Sequence, residues 1–161
     1  MVERLYTPWR MAYVTSQDET AGCALCRARD GQDGADRLVV TSGELCFVVM
    51  NLYPYTGGHV MVTPKRHVGS LGEATPAELA ELMALARRLE EAFRELYRPD
   101  GINLGMNLGR AAGAGIADHI HLHVVPRWSG DTNFMTVVAD TRVIPEDPAA
   151  ACLRLRPYFA R

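Results

Sequence analysis

Residues 119–125 read His119-Ile120-His121-Leu122-His123-Val124-Val125, three histidines in strict alternation with apolar residues. An extended chain points successive side chains to opposite faces. The alternation therefore predicts a strand from His119 to Val125, with Ile120, Leu122 and Val124 in a core and the three imidazoles together on the other face. Neighbours on one face of a strand lie about 6.5–7 Å apart, close enough for several rings to share one ligand. Aligned imidazoles add little packing and repel one another when charged, which sets the run apart from an ordinary core histidine. Imidazole accepts or donates a proton near neutral pH, attacks phosphorus or binds a metal. The spacing alone leaves two chemistries open: a metal site with several imidazole ligands, or nucleophilic catalysis by one histidine supported by the others.

Outward from this strand the chain alternates between sheet and helix signals. Ile102 to Asn107 predicts the preceding strand, and the glycine-rich stretch 109–118 the loop between the two. Before it, Thr75, Pro76 and Glu78 form a helix start: a hydroxyl cap, a proline at the first helical position and the glutamate of a capping box. Leu79, Leu82, Met83, Ala86, Leu89, Phe93 and Leu96 then recur at steps of three and four and predict one apolar helix face, ended by Pro99-Asp100-Gly101. Further upstream, Leu38–Val40 and Leu45–Val49 predict a hairpin across Thr41-Ser42-Gly43-Glu44, and His59–Val62 a third strand limited by Pro64. Strands, then a helix, then strands favour an α+β fold with an antiparallel sheet.

The chain has 161 residues, 48% of them hydrophobic and 22% charged, with a formal net charge of -2. That length suits one domain over residues 1–161, large enough to need no disulfide staple. The charge balance gives no nucleic-acid footprint, and Lys65-Arg66 is too short a basic run to change this. No apolar run approaches the ~20 residues of a membrane span, and the first residues lack the apolar core of a signal peptide, so a cytoplasmic protein is expected. In that compartment Cys23-x-x-Cys26 reads as a metal or redox pair, whereas Cys46 and Cys152 read as packing residues. Trp9, Trp128, Tyr53 and Tyr55 also read as packing residues first.

The His-x-His-x-His-x-x order with apolar spacers resembles the signature of the histidine triad (HIT) superfamily of nucleotide hydrolases and transferases. Asn107-Leu108-Gly109 with its glycine-rich loop resembles that family's phosphate approach. The stretch from Asn51 to Lys65 resembles the segment that supplies a ribose contact and a fourth histidine, His59. Pro126 to Phe134 is similar to the bacterial branch related to diadenosine tetraphosphate phosphorylases. The resemblance implies a HIT-like five-stranded antiparallel sheet with one long covering helix and short additional helices, its core about residues 37–135. It implies that His121 is the nucleophile and passes through a nucleotidyl-histidine intermediate, with His119, His123 and His59 in support. It assigns substrate binding to Asn51, Asn107, Gly109, Gly113, Gly115, Ile116 and Arg127. Gly115 and Ile116 depart from relatives that carry a polar side chain there.

Zinc-containing members add a histidine after a Pro-Lys-Arg-like segment, matched here by Pro64-Lys65-Arg66-His67. The resemblance thus implies a structural zinc on Cys23, Cys26, His67 and His119, with an N-terminal zinc-binding segment at about 20–30. Four protein ligands close a tetrahedral site and leave no position for reactive water. A homodimer, an adenine dinucleoside polyphosphate substrate, and magnesium or manganese accompanying that substrate are implied in the same way. Three further functions fit the residues: a nucleoside phosphoramidate hydrolase, a metal-dependent hydrolase with the triad as ligands, and a non-catalytic nucleotide-binding module.

Overall fold

Among the described residues, five antiparallel strands form one open sheet in which the fifth strand in chain order lies between the third and the fourth. The structure, a computed structural model, describes residues 22–131 and 146–160. Trp9, the first residues of the expected zinc-binding segment and the last of the expected core lie outside these. β1 (Val39–Ser42) and β2 (Cys46–Met50) form the hairpin, β3 (Val60–Pro64) follows, and β4 (Gly101–Met106) and β5 (Leu122–Arg127) complete the sheet. In the hairpin turn, the Gly43 amide donates to the Cys46 carbonyl at 2.8 Å, and a Cβ at Gly43 would collide with the Glu81 carboxylate.

The long helix forms as its start signals predict. It is α2 (Pro76–Leu96), preceded by α1 (Ala24–Arg29) and followed by α3 (Pro148–Leu155). Thr75 Oγ1 accepts from the Glu78 amide at 3.2 Å, and Glu78 returns a bond to the Thr75 amide at 2.7 Å. This reciprocal box satisfies two amides that a helix start leaves open. The buried face of α2 is Leu82, Leu85, Ala86, Leu89, Ala92 and Phe93, packed with Val48, Val60, Val62 and Val124 of the sheet. α3 extends this core with Ala151, Cys152 and Leu155. Met83, expected on the face, is instead 54% exposed. The stripe follows the true helical period through Leu85 and Ala92, which leaves Met83 on its flank.

The other face of the sheet carries a smaller cluster: Leu25 and Ala28 of α1 against Phe47, Val49 and Met61. His123 is the cross-strand partner of both Met61 and Gly105, so its ring belongs to this face. α1 thereby brings the Cys23/Cys26 segment to the histidine side, while α2 builds the core behind it.

The histidine strand starts later than its alternation predicts. β5 begins at Leu122, and pairing with β3 stops at Val62 with Leu122. His119, Ile120 and His121 form an irregular lead-in. Ile120 is still buried, but its amide donates to the Val68 carbonyl at 2.8 Å, outside the ladder. Pro64 stands where the ladder would continue, and proline has no N–H to offer.

Candidate active site

The lead-in turns the three imidazoles to different tasks. His119 is wholly buried, and its Nε2 donates to the Pro64 carbonyl at 2.8 Å. A carbonyl can only accept, so the proton of neutral His119 is on Nε2 and the lone pair on Nδ1. That Nδ1 lies 3.3 Å from Cys23 Sγ and 3.6 Å from Cys26 Sγ, and His67 Nδ1 lies 3.5 Å from Cys26 Sγ. The four ligand atoms all lie within 4.8 Å of one another. Tetrahedral zinc with ordinary Zn–S and Zn–N bonds sets its ligand atoms about 3.3–3.8 Å apart. The donor set and these separations fit a closed two-sulfur, two-nitrogen site. Burial is the main cause that lowers the His119 pKa, and the neutral form it favours is the one that binds metal.

His121 Nδ1 donates to the backbone carbonyl of His119 at 2.8 Å. Its Nε2 therefore carries the lone pair. Only 4% of His121 is exposed, and burial lowers its pKa against the opposing effect of that backbone bond. The result is a neutral imidazole at pH 7 with an unprotonated nitrogen, the state a nucleophile needs.

His123 is half-buried, its ring 4.8 Å from that of His121 and nearly perpendicular to it. A chain of donors fixes its tautomer. The Tyr55 amide donates to His59 Nδ1 at 3.0 Å, so the His59 proton is on Nε2. His59 Nε2 donates to His123 Nδ1 at 2.9 Å, which leaves the His123 proton on Nε2. One ring thus offers a lone pair and its neighbour a hydrogen-bond donor. The Tyr55 ring stacks on His59 with centroids 4.7 Å apart. Tyr55 and Tyr53, read from sequence as packing residues, are 40% and 61% exposed.

The remaining expected residues occupy varied positions. Asn51 Oδ1 accepts from the Tyr53 amide at 3.0 Å, and its Nδ2 lies 3.3 and 3.4 Å from the two nitrogens of His59. Asn107 Nδ2 donates to the Gly113 carbonyl at 3.4 Å, bracing the glycine-rich loop. Gly109 and Gly113 have φ of 82° and 87°, which side chains rarely adopt. Ile116 packs against the smaller core cluster, beside Gly115. Arg127 is held by Asp131, with Nη2 to Oδ1 at 2.8 Å, and by Asn103 Oδ1 at 2.9 Å. The sequence does not show that Asp131 folds back onto it. Nor does it show the Tyr55 amide and the Pro64 carbonyl, since backbone groups have no residue signature.

A catalytic metal held by the triad itself does not fit this arrangement. His119 turns Nδ1 to the cysteines and gives its other nitrogen to the Pro64 carbonyl, so it has none left for a metal shared with His121 and His123. Among the described residues, the cluster able to hold a metal ion is Cys23, Cys26, His67 and His119.

Sheet order, covering helix and three ordered imidazoles define a histidine triad protein. A family model for the HIT domain matches residues 32–130, and the chain belongs to that family. It is 41% identical over 152 residues to "AP-4-A phosphorylase" of Mycobacterium tuberculosis, covering 90% of this chain and 78% of that protein. It is 37% identical over 88 residues to "Bis(5'-adenosyl)-triphosphatase" of Dictyostelium discoideum, covering 55% of this chain and 58% of that one. Among solved structures it resembles a zinc-bound histidine triad family protein from Mycobacterium smegmatis. That match has a TM-score of 0.70 and 31% identity, and covers 88% of this chain and 95% of the other.

Proposed function

We propose that this chain cleaves the phosphoanhydride bonds of adenine dinucleoside polyphosphates in two steps through His121. The observation that carries the reading is the Nδ1 bond to the His119 carbonyl, which leaves Nε2 free of a proton at neutral pH. Nε2 attacks the α-phosphorus, forming a P–N bond as the P–O bond to the departing nucleotide breaks. The imidazolium that results keeps its Nδ1–H on the His119 carbonyl, which steadies the positive charge. In this proposal His123 Nε2–H donates to a phosphate oxygen as charge develops there. Water or inorganic phosphate then displaces His121, giving a nucleoside mono- or diphosphate respectively. The relatives named as an AP-4-A phosphorylase and a bis(5'-adenosyl)-triphosphatase support this substrate class.

Substrate contacts in this proposal fall to Asn51, Asn107, Gly109, Gly113, Gly115, Ile116 and Arg127. It includes a structural zinc on Cys23, Cys26, His67 and His119, supported by the fit of the donor set and by the zinc-bound relative. When bound, that zinc cross-links α1 to the lead-in of the histidine strand. The reading further includes magnesium or manganese accompanying the polyphosphate, a single cytoplasmic domain and a homodimer. Among the described residues β4 lies at the edge of the sheet with Leu104 52% exposed, a position that suits pairing with another copy. No helix among the described residues is long and apolar enough to cross a membrane.

The test is a panel of dinucleoside polyphosphates, mononucleotides and nucleoside phosphoramidates, each run with and without inorganic phosphate. Phosphate-dependent release of nucleoside diphosphate marks a phosphorylase, and products unchanged by phosphate mark a hydrolase. Binding without turnover across the whole panel would defeat the proposal.

A further inference from the structure

The buried polar side chains among the described residues are His59, Thr63, Glu78, His119 and His121. The histidines belong to the site or the metal cluster, and Glu78 caps α2. Thr63 alone has no part in either. It lies near the end of β3, wholly buried, and its hydroxyl donates to the Ile120 carbonyl at 2.8 Å. The second acceptor in reach, the Pro64 carbonyl, is at 3.5 Å, the weaker contact.

The placement of this bond gives it a consequence for catalysis. Ile120 stands between the acceptor and the nucleophile. Its N–H shares a rigid peptide plane with the His119 carbonyl, and its C=O shares the next plane with the His121 amide. The first plane is held by the bond from Ile120 to the Val68 carbonyl, 2.8 Å. The second is held by Thr63 Oγ1. The sheet cannot do this work, because its β3–β5 pairing ends at Leu122, and Pro64, which that register sets opposite Ile120, has no N–H to give the Ile120 carbonyl. The angle between the planes sets whether the ring of His121 can keep its Nδ1–H on the His119 oxygen.

We propose that Thr63 is a positioning residue for His121: its hydroxyl holds the Ile120–His121 peptide plane, and so keeps the ring seated with Nδ1 on the His119 carbonyl and Nε2 aimed. The proposal rests on His121 as the nucleophile. Thr63 is wholly buried behind the site, so its loss should act on the chemical step and leave binding alone.

The experiment compares wild type, Thr63→Val and Thr63→Ser, all shown to carry equal zinc. Valine keeps the shape and removes the donor, whereas serine restores it. Nitrogen-15 NMR of the histidine rings, at one fixed pH, reads the His121 tautomer without reference to turnover. Wild type should show Nδ1–H alone. Thr63→Val should populate Nε2–H and lower kcat roughly tenfold to hundredfold, the cost of a small misplacement. Its KM should stay within about twofold. Thr63→Ser should return both readouts to wild type. A valine variant with the wild-type tautomer or the wild-type kcat overturns the proposal, as does a serine variant that fails like valine. If Thr63→Val does not fold, Thr63→Ala is read by the same criteria. Undiminished turnover in His121→Ala would overturn the nucleophile assignment itself, while the tautomer measurement still reports on the Thr63 bond alone.

Discussion

Glu78→Gln should destabilise the protein by about 2 kcal/mol at pH 7, and the loss should fade in acid. The glutamate is 2% exposed and accepts four bonds. Arg66 donates to its two oxygens at 2.7 and 2.6 Å, and the Thr75 amide and hydroxyl donate at 2.7 and 3.1 Å. Glutamine keeps one acceptor for Thr75 but turns an N–H toward the Arg66 Nε–H, so at least one charge-assisted bond is lost. Such bonds contribute about 1.5–3 kcal/mol when shielded from water. Arg66 is 53% exposed, so solvent screening holds the total near the lower half of that range, with a few tenths more from the weakened cap. For a protein of this size the melting temperature should fall by about 4–8 °C.

The pH dependence supplies the sharper check. The Arg66 bonds first, and the Thr75 bonds after them, pull the Glu78 carboxyl down from 4.5 to about 2, against burial. A depressed carboxylate contributes stability that is complete above its unfolded pKa and lost as pH falls through its folded one. The gap between wild type and Glu78→Gln should therefore be constant above pH 4.5 and shrink toward pH 2. Urea unfolding at a series of pH values measures it. A gap below about 0.5 kcal/mol at neutral pH, or one that persists unchanged into acid, would refute the reasoning.

Leu89→Ala should cost about 2–5 kcal/mol by thermal denaturation, because Leu89 is wholly buried on the inner face of α2 and its removal leaves a cavity. Burial keeps His121 below the ordinary histidine value of 6.5, so the acid limb of kcat/KM should fall below that pH; a limb above 7 would contradict the assignment. A strong chelator with a colorimetric zinc reporter should release about one zinc per chain and lower the melting temperature, and Cys23→Ser should bind markedly less metal.

Much of the fold was legible because its signals are local. The capping box at Thr75–Glu78 and the hairpin around Gly43 form where the residues place them. Long-range geometry was not legible. The alternation of His119 to Val125 continues past the point where Pro64 ends the ladder, so the pattern alone starts the strand three residues early. Met83 falls within a stripe of three- and four-residue steps, yet the true period buries Leu85 and Ala92. In the site, the histidines and cysteines were nameable from their types, since few other residues do their chemistry. Their tautomers were not, because these depend on the carbonyls of Pro64 and His119 and the amide of Tyr55. The contacts of Arg127 were hidden in the same way: its type suggests phosphate, while its pairing with Asp131 and Asn103 depends on the fold.

The central claim is covalent chemistry at His121, and rapid acid-free quenching followed by peptide mass spectrometry tests it most directly. With diadenosine tetraphosphate at high enzyme concentration, the peptide containing His121 should gain the mass of one adenylyl group, in an amount that rises and decays with turnover. Continued turnover with no such adduct on wild type, or an adduct on a different residue, would contradict the account.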